Sequence, residues 1–172
     1  MTATKRLPLY IVGAAVIVVL AVVLGLTVSH SKSKGATVNA RPKTTVVNSR
    51  TTKYGQVLVD AQGRTVYLFE KDSGMSSSCS GSCTSYWPPV PVTGQPRASG
   101  HAVASSVGVI TRSGGHEQLT YAGHPLYYYV GDNKAGQTNG QGSDQFGGKW
   151  YVLNPAGAAV TTMVGTRQGG GY

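Results

Sequence analysis

Two stretches of the chain, Gly63-Arg64-Thr65-Val66-Tyr67-Leu68-Phe69-Glu70-Lys71-Asp72 and Gly123-His124-Pro125-Leu126-Tyr127-Tyr128-Tyr129-Val130-Gly131-Asp132, carry one pattern at an offset of 60 residues. The shared core is Gly-x-x-apolar-Tyr-x-aromatic-x-x-Asp, with a tryptophan further on in each copy, Trp87 and Trp150. A long fixed period marks a structural unit that is built twice, so any fold for this chain has to seat two related halves. Tyr67, Phe69, Asp72 and Trp87 in the first copy, and Tyr127, Tyr129, Asp132 and Trp150 in the second, are the motif residues.

The motif reads as strand. Val57-Leu58-Val59 and Thr65-Val66-Tyr67-Leu68-Phe69 flank a turn with Asp60 at its start and Gly63 at its end, and Leu119-Thr120-Tyr121 and Leu126-Tyr127-Tyr128-Tyr129 flank Ala122-Gly123. Each unit is a β-hairpin, and Gly108–Thr111 and Trp150–Leu153 add strands. Period-two alternation puts Tyr67 and Phe69 on one face and Val66 and Leu68 on the other, both apolar, as in a strand covered on two sides. Asp72 and Asp132 are expected to cap turns by accepting backbone N–H groups. The expected fold is a small all-β domain of two tandem β-hairpin repeats, in which neither hairpin is stable alone.

The flanks differ in kind. Leu9–Val28 is a run of 20 uncharged, mostly apolar residues, about the ~20 that a membrane-spanning helix needs. Lys5 and Arg6 before it place residues 1–8 in the cytoplasm and the rest outside. The run exceeds the ~7–15 apolar residues of an ordinary cleaved signal peptide, which favours an uncleaved signal anchor, though Thr27-Val28-Ser29 resembles a poor cleavage site. Residues 29–53 hold Lys32, Lys34, Arg41, Lys43, Arg50 and Lys53 without an acid, so they are expected to form a disordered basic tether. Residues 54–166 would then be the extracytoplasmic domain, with repeat 1 at about 54–92, repeat 2 at about 107–155 and a Gly-rich tail at 167–172.

The net charge of +9 sits in the flanks: within 54–166 six basic residues balance six acidic ones, so the basic face of a nucleic-acid-binding domain is missing and no nucleic acid is expected. The tether suits an anionic lipid or a cell-wall polymer, and a protein partner is also open.

Chemistry-bearing motifs are few. Cys79 and Cys83, spaced Cys-x3-Cys, suit a local disulfide in an oxidising compartment. The alternative is a copper or thiol-redox site using Cys79 and Cys83 with Met75 and His124, soft ligands for copper; otherwise no cofactor is expected. Cys-x-x-Cys and haem-attachment patterns are absent. His116-Glu117 lacks the second histidine of a zinc-protease helix and no Gly-x-Ser-x-Gly elbow occurs, so the chain reads as a non-enzyme. The segment from Asp132 to Asp144, with Trp150 near it, has the amides and hydroxyls used in sugar binding, but its composition is also that of an ordinary Gly-rich connection.

Asp60 to Thr65, Tyr67 to Asp72, Cys79-Ser80-Gly81-Ser82-Cys83, Trp87-Pro88-Pro89 and Gly123 to Tyr129 together resemble a bacterial family of secreted and lipoprotein repeats of unknown function with a Tyr-x-(Phe/Trp/Tyr)-x-x-Asp signature. The resemblance spans roughly 54–155 and implies an extracytoplasmic domain with no established activity. Many members carry a lipidation cysteine after the signal. Here the only cysteines are Cys79 and Cys83, so segment 9–28 is expected to do the anchoring in the cell membrane.

Overall fold

The computed structural model describes residues 44–163. The segment 9–28, most of 29–53 and the tail 167–172 lie outside the described residues. Among the described residues no helix is long and apolar enough to cross a membrane.

Among the described residues nine short strands make three three-stranded sheets. In the first copy, β1 (Val46–Thr52) and β2 (Gly55–Asp60) form a hairpin in register from Thr52 opposite Gly55 to Val47 opposite Asp60. β3 (Tyr67–Phe69) follows, then the five-residue helix α1 (Ser82–Tyr86) and β4 (Arg97–Ala98), which pairs with β1 in parallel. The second copy repeats the hairpin as β5 (Val107–Thr111) and β6 (Glu117–Tyr121), extended by β7 (His124–Pro125). β8 (Asp144–Gln145) and β9 (Gly148–Val152) close the fold, and β3 of the first copy pairs with β9 of the second, Phe69 opposite Trp150.

The halves meet at the motif tyrosines. The Tyr67 N–H donates to the Tyr127 carbonyl at 2.8 Å, and the Tyr127 N–H donates back to the Tyr67 carbonyl at 3.0 Å. Beyond this pair the two copies part. β3 finds a full ladder on β9, whereas Tyr127-Tyr128-Tyr129 runs against Pro88-Pro89, where Tyr128 donates to the Pro88 carbonyl at 2.8 Å and only an isolated bridge forms. Prolines have no N–H to return, so a continuous ladder is impossible there.

Strand alternation sorts the core as the period-two pattern requires. Val57, Val59, Tyr67 and Phe69 pack with Trp87, Tyr127, Trp150, Val152 and the two cysteines. Leu58, Val66 and Leu68 pack on the other side with Val47, Val90, Leu119, Tyr121, Leu126 and Leu153. The turn between them forms as read: Asp60 Oδ1 accepts the N–H groups of Gln62 and Arg64, each at 2.9 Å, and Gly63 takes φ +80°, open to glycine without strain.

One boundary moves. The basic segment expected to run to residue 53 as a disordered tether is ordered from Thr44, because Val46–Thr52 is the middle strand of its sheet. The charge of Arg50 and Lys53 masked a strand whose polar side chains face outward while Val47, 1% exposed, enters the core and the backbone pairs on both edges. The ordered domain therefore begins about ten residues earlier than its charge pattern implied, and Arg50 belongs to it.

Candidate functional site

All eight motif residues converge on the join between the copies, and they do so by exchange. Tyr67 of the first copy donates its hydroxyl to Asp132 Oδ2 of the second at 2.5 Å, and Tyr127 donates to Asp72 Oδ2 of the first at 2.7 Å. The expected turn caps also form, on the other oxygens: Asp72 Oδ1 accepts the Ser78 N–H at 2.6 Å and Asp132 Oδ1 accepts the Asn139 N–H at 2.9 Å. Each aspartate thus holds its own loop with one oxygen and the opposite copy's tyrosine with the other.

The aromatic rings exchange in the same way. Phe69 stacks on Trp150 with centroids 4.1 Å apart and planes 7° apart. Trp150 stacks on Trp87 at 3.9 Å and 6°, and Trp87 lies against Tyr129 at 4.4 Å and 31°. The result is a four-ring column, Phe69–Trp150–Trp87–Tyr129, with Tyr67 edge-on to Trp87 at 5.4 Å and Tyr127 edge-on to Trp150 at 5.1 Å. Each such pair adds ~0.5–1.5 kcal/mol beyond the area it buries. Both indole N–H groups are used: Trp87 donates to the Gln145 side chain at 2.9 Å and Trp150 to the Gln145 carbonyl at 3.1 Å. Glycine makes room at the column's flank, since a Cβ on Gly140 would stand 2.6 Å from the Trp87 ring.

Burial raises the pKa of the Tyr67 and Tyr127 phenols, and of Tyr128, well above the ordinary 10.0; the nearby aspartates push each the same way. Such phenols keep their protons in the fold when the unfolded chain would lose them. Their stabilisation is complete below pH 10.0 and is lost as pH rises from there through the raised folded values. Asp72 is also raised, by burial first, against the opposing pull of the Ser78 N–H, Tyr127, Arg112 and His124. Its shift has the same sign in a lower window: the folded state holds that proton more readily, so acidification through the carboxylate range adds stability at this group, unlike the usual paired carboxylate. An alkaline titration followed by tyrosinate absorbance is expected to show three of the ten tyrosines ionising only together with unfolding. Ten tyrosines ionising in one reversible wave with the near-UV circular dichroism intact would contradict this account.

Around Tyr127 lies a network that the sequence did not announce. Ser77 Oγ is 2.6 Å from the Tyr127 hydroxyl, and Arg112 donates to Ser77 Oγ at 2.6 Å, to the Gln118 side chain at 2.5 Å and to the Cys79 carbonyl. Gln118 is fully buried and donates to the Leu126 carbonyl at 2.8 Å. A signal for it was present, because Gln118 breaks an apolar strand at the position where the first copy has Leu58.

Cys79 and Cys83 are joined in a disulfide beside Trp87. Met75 is half-exposed at 53% and His124 sits on β7 near Asp72. Among the described residues, no group of three or more His, Cys, Asp or Glu could hold a metal ion. With the sulfurs bonded to each other, neither is a thiolate, so the copper alternative concerns the reduced chain. In the loop from Asp132 to Asp144 the amides serve the loop itself. Gln137 accepts the N–H groups of Asn133 and Lys134, Asn139 donates to the Gly131 carbonyl, Gln141 clamps Val152 and Val160, and Trp150 is buried.

Two of the surface recesses are lined by residues of both copies. A cleft of about 510 Å³ is lined by Thr44, Thr45, Asp60, Arg64, Thr93 and Tyr128, among others. Another of about 250 Å³ is lined by Arg64, Thr65, Pro88, Tyr128, Tyr129, Val130 and Asp132. Arg64 and Tyr128 belong to both. The Arg64 guanidinium lies 4.0 Å over the Tyr128 ring, its Nε donates to Asp60 Oδ2 at 2.7 Å, and the Tyr128 hydroxyl donates to the same oxygen at 3.0 Å. Asp60 is buried, whereas the Arg64 side chain stays 53% exposed.

A family model described as a secreted repeat of unknown function matches the chain twice, over residues 48–91 and 108–154. No curated protein and no solved structure gives a match.

Proposed function

We propose that this chain, which belongs to the family of secreted repeats of unknown function, works outside the cytoplasm as a non-enzymatic binding module tethered to the cell membrane through Leu9–Val28. Its ligand is an anionic cell-wall polymer. The observation that carries the reading is the cation shared by two adjoining clefts, Arg64 stacked on Tyr128 and oriented by Asp60. A guanidinium held flat on an aromatic ring with one edge fixed presents a planar fork suited to phosphate or carboxylate groups. The chain enters the domain at the lip of the larger cleft, at Thr44 and Thr45. The residues before that point include Lys32, Lys34, Arg41 and Lys43 and no acid from 29 onward. Their charge would attract the same anionic polymer, each such residue adding ~1 kcal/mol near a charged surface.

The full chain in detergent is expected to co-sediment with insoluble anionic wall polymer in a salt-sensitive manner. Arg64→Ala should weaken binding about tenfold, the loss of one charge-assisted contact, and changing Lys32, Lys34, Arg41 and Lys43 to Gln should weaken it further. Retention of full binding by Arg64→Ala, or pelleting with anionic vesicles but not with wall polymer, would overturn the proposal; the second result would make lipid the partner.

A further inference from the structure

Packing alone does not explain the chemistry of the column. Phenylalanine at 67 and 127 would fill the same space and leave no hydroxyl to satisfy, yet both positions are phenols, both fully buried, and each is aimed at a carboxylate. Two indoles in face contact connect them, the two phenols standing edge-on to Trp87 and Trp150 respectively. Indoles and phenols are the side chains most readily oxidised by one electron without breaking a heavy-atom bond, and a phenol gives up its electron at accessible potential only if its proton has somewhere to go. Asp132 and Asp72 supply that place. Both ends of such a path open on the same recess: Tyr129, the outer ring of the column, and Asp132 line the cleft of about 250 Å³.

We propose that the aromatic column is a one-electron relay that carries oxidising equivalents from an oxyl radical arriving in that cleft to the buried tyrosines. The radical gains one electron, drawn through Tyr129 and Trp87. Tyr67 loses that electron and passes its phenol proton to Asp132 Oδ2, leaving a neutral tyrosyl radical, a neutral carboxylic acid and a reduced oxidant. The same step runs on the other branch through Trp150, with Tyr127 as electron donor and Asp72 as proton acceptor. No oxygen atom is transferred, and the disulfide beside Trp87 stays intact because the hole settles on a phenol.

The test is pulse radiolysis of the full chain with azidyl radical, a small oxidant that attacks indoles first. The tryptophan radical band is expected to decay into the tyrosyl band at a rate independent of protein concentration. Asp72→Asn with Asp132→Asn should slow that conversion about tenfold or more, and Tyr67→Phe with Tyr127→Phe should abolish it while the tryptophan radical persists. The phenylalanine pair keeps the test decisive if the asparagine pair fails to fold. Conversion that survives the phenylalanine pair, that disappears on replacing the exposed Tyr86 instead, or whose rate scales with protein concentration, would overturn the relay.

Discussion

Trp150→Ala is expected to lower folding stability by about 3–5 kcal/mol, the range for deleting a large buried aromatic side chain. Trp150 is completely buried and touches three rings of the join: Phe69 on one face, Trp87 on the other, and Tyr127 at its edge. Its removal leaves a slot between Phe69 and Trp87 that the rigid strands β3 and β9 cannot close, and it frees the Gln145 carbonyl of its indole partner. Thermal unfolding should fall by on the order of 10 °C or more. The chain has only two tryptophans, so the coupled near-UV circular dichroism of the stacked indoles should vanish in Trp150→Ala and in Trp87→Ala alike. A shift of only a few degrees, or a near-UV couplet that survives either change, would mean the column is not formed.

The second large effect concerns the exchanged hydrogen bonds. Asp132→Ala leaves the buried Tyr67 hydroxyl without its carboxylate and the Asn139 N–H without its acceptor, and each orphaned group costs ~1–3 kcal/mol. Asp72→Ala does the same to Tyr127 and the Ser78 N–H, although Ser77 stays within reach of the Tyr127 hydroxyl at 2.6 Å and should soften the loss. Double-mutant cycles separate exchange from local pairing. Tyr67→Phe should couple to Asp132→Ala by about 1 kcal/mol or more and to Asp72→Ala by almost nothing, since contacting residues couple and separated ones add. Coupling of Tyr67 to Asp72, its own copy's aspartate, would overturn the reciprocal arrangement.

How much of this was legible depended on whether the governing contact was local. The strands around Val57–Val59 and Tyr67–Phe69, the Asp60 to Gly63 turn and the two-faced burial of β3 follow from periodicity and turn chemistry, which act over a few residues. The secreted repeat and the Cys79–Cys83 disulfide followed from motif and spacing. Strand β1 was hidden because Arg50 and Lys53 drew attention to charge, while the burial of Val47 and the ladder to β2 are tertiary. The exchange was hidden for the same reason. Tyr67 precedes Asp72 by five residues and would pair with it on any local reading, but the extended strand between them carries the two side chains apart, and the partner lies 65 residues away. The Arg64–Tyr128 pair, likewise, joins positions 64 apart in sequence that no local pattern relates.

Because Tyr67 and Tyr127 are each satisfied by the aspartate of the other copy, and Phe69 and Tyr129 each lie against the other copy's tryptophan, the repeat behaves like one blade of a pair of scissors. Copies should add to chains of this kind in twos, and an odd one would have to find its mate in a second molecule, so counting repeats in a chain amounts to predicting whether it stands alone or dimerises.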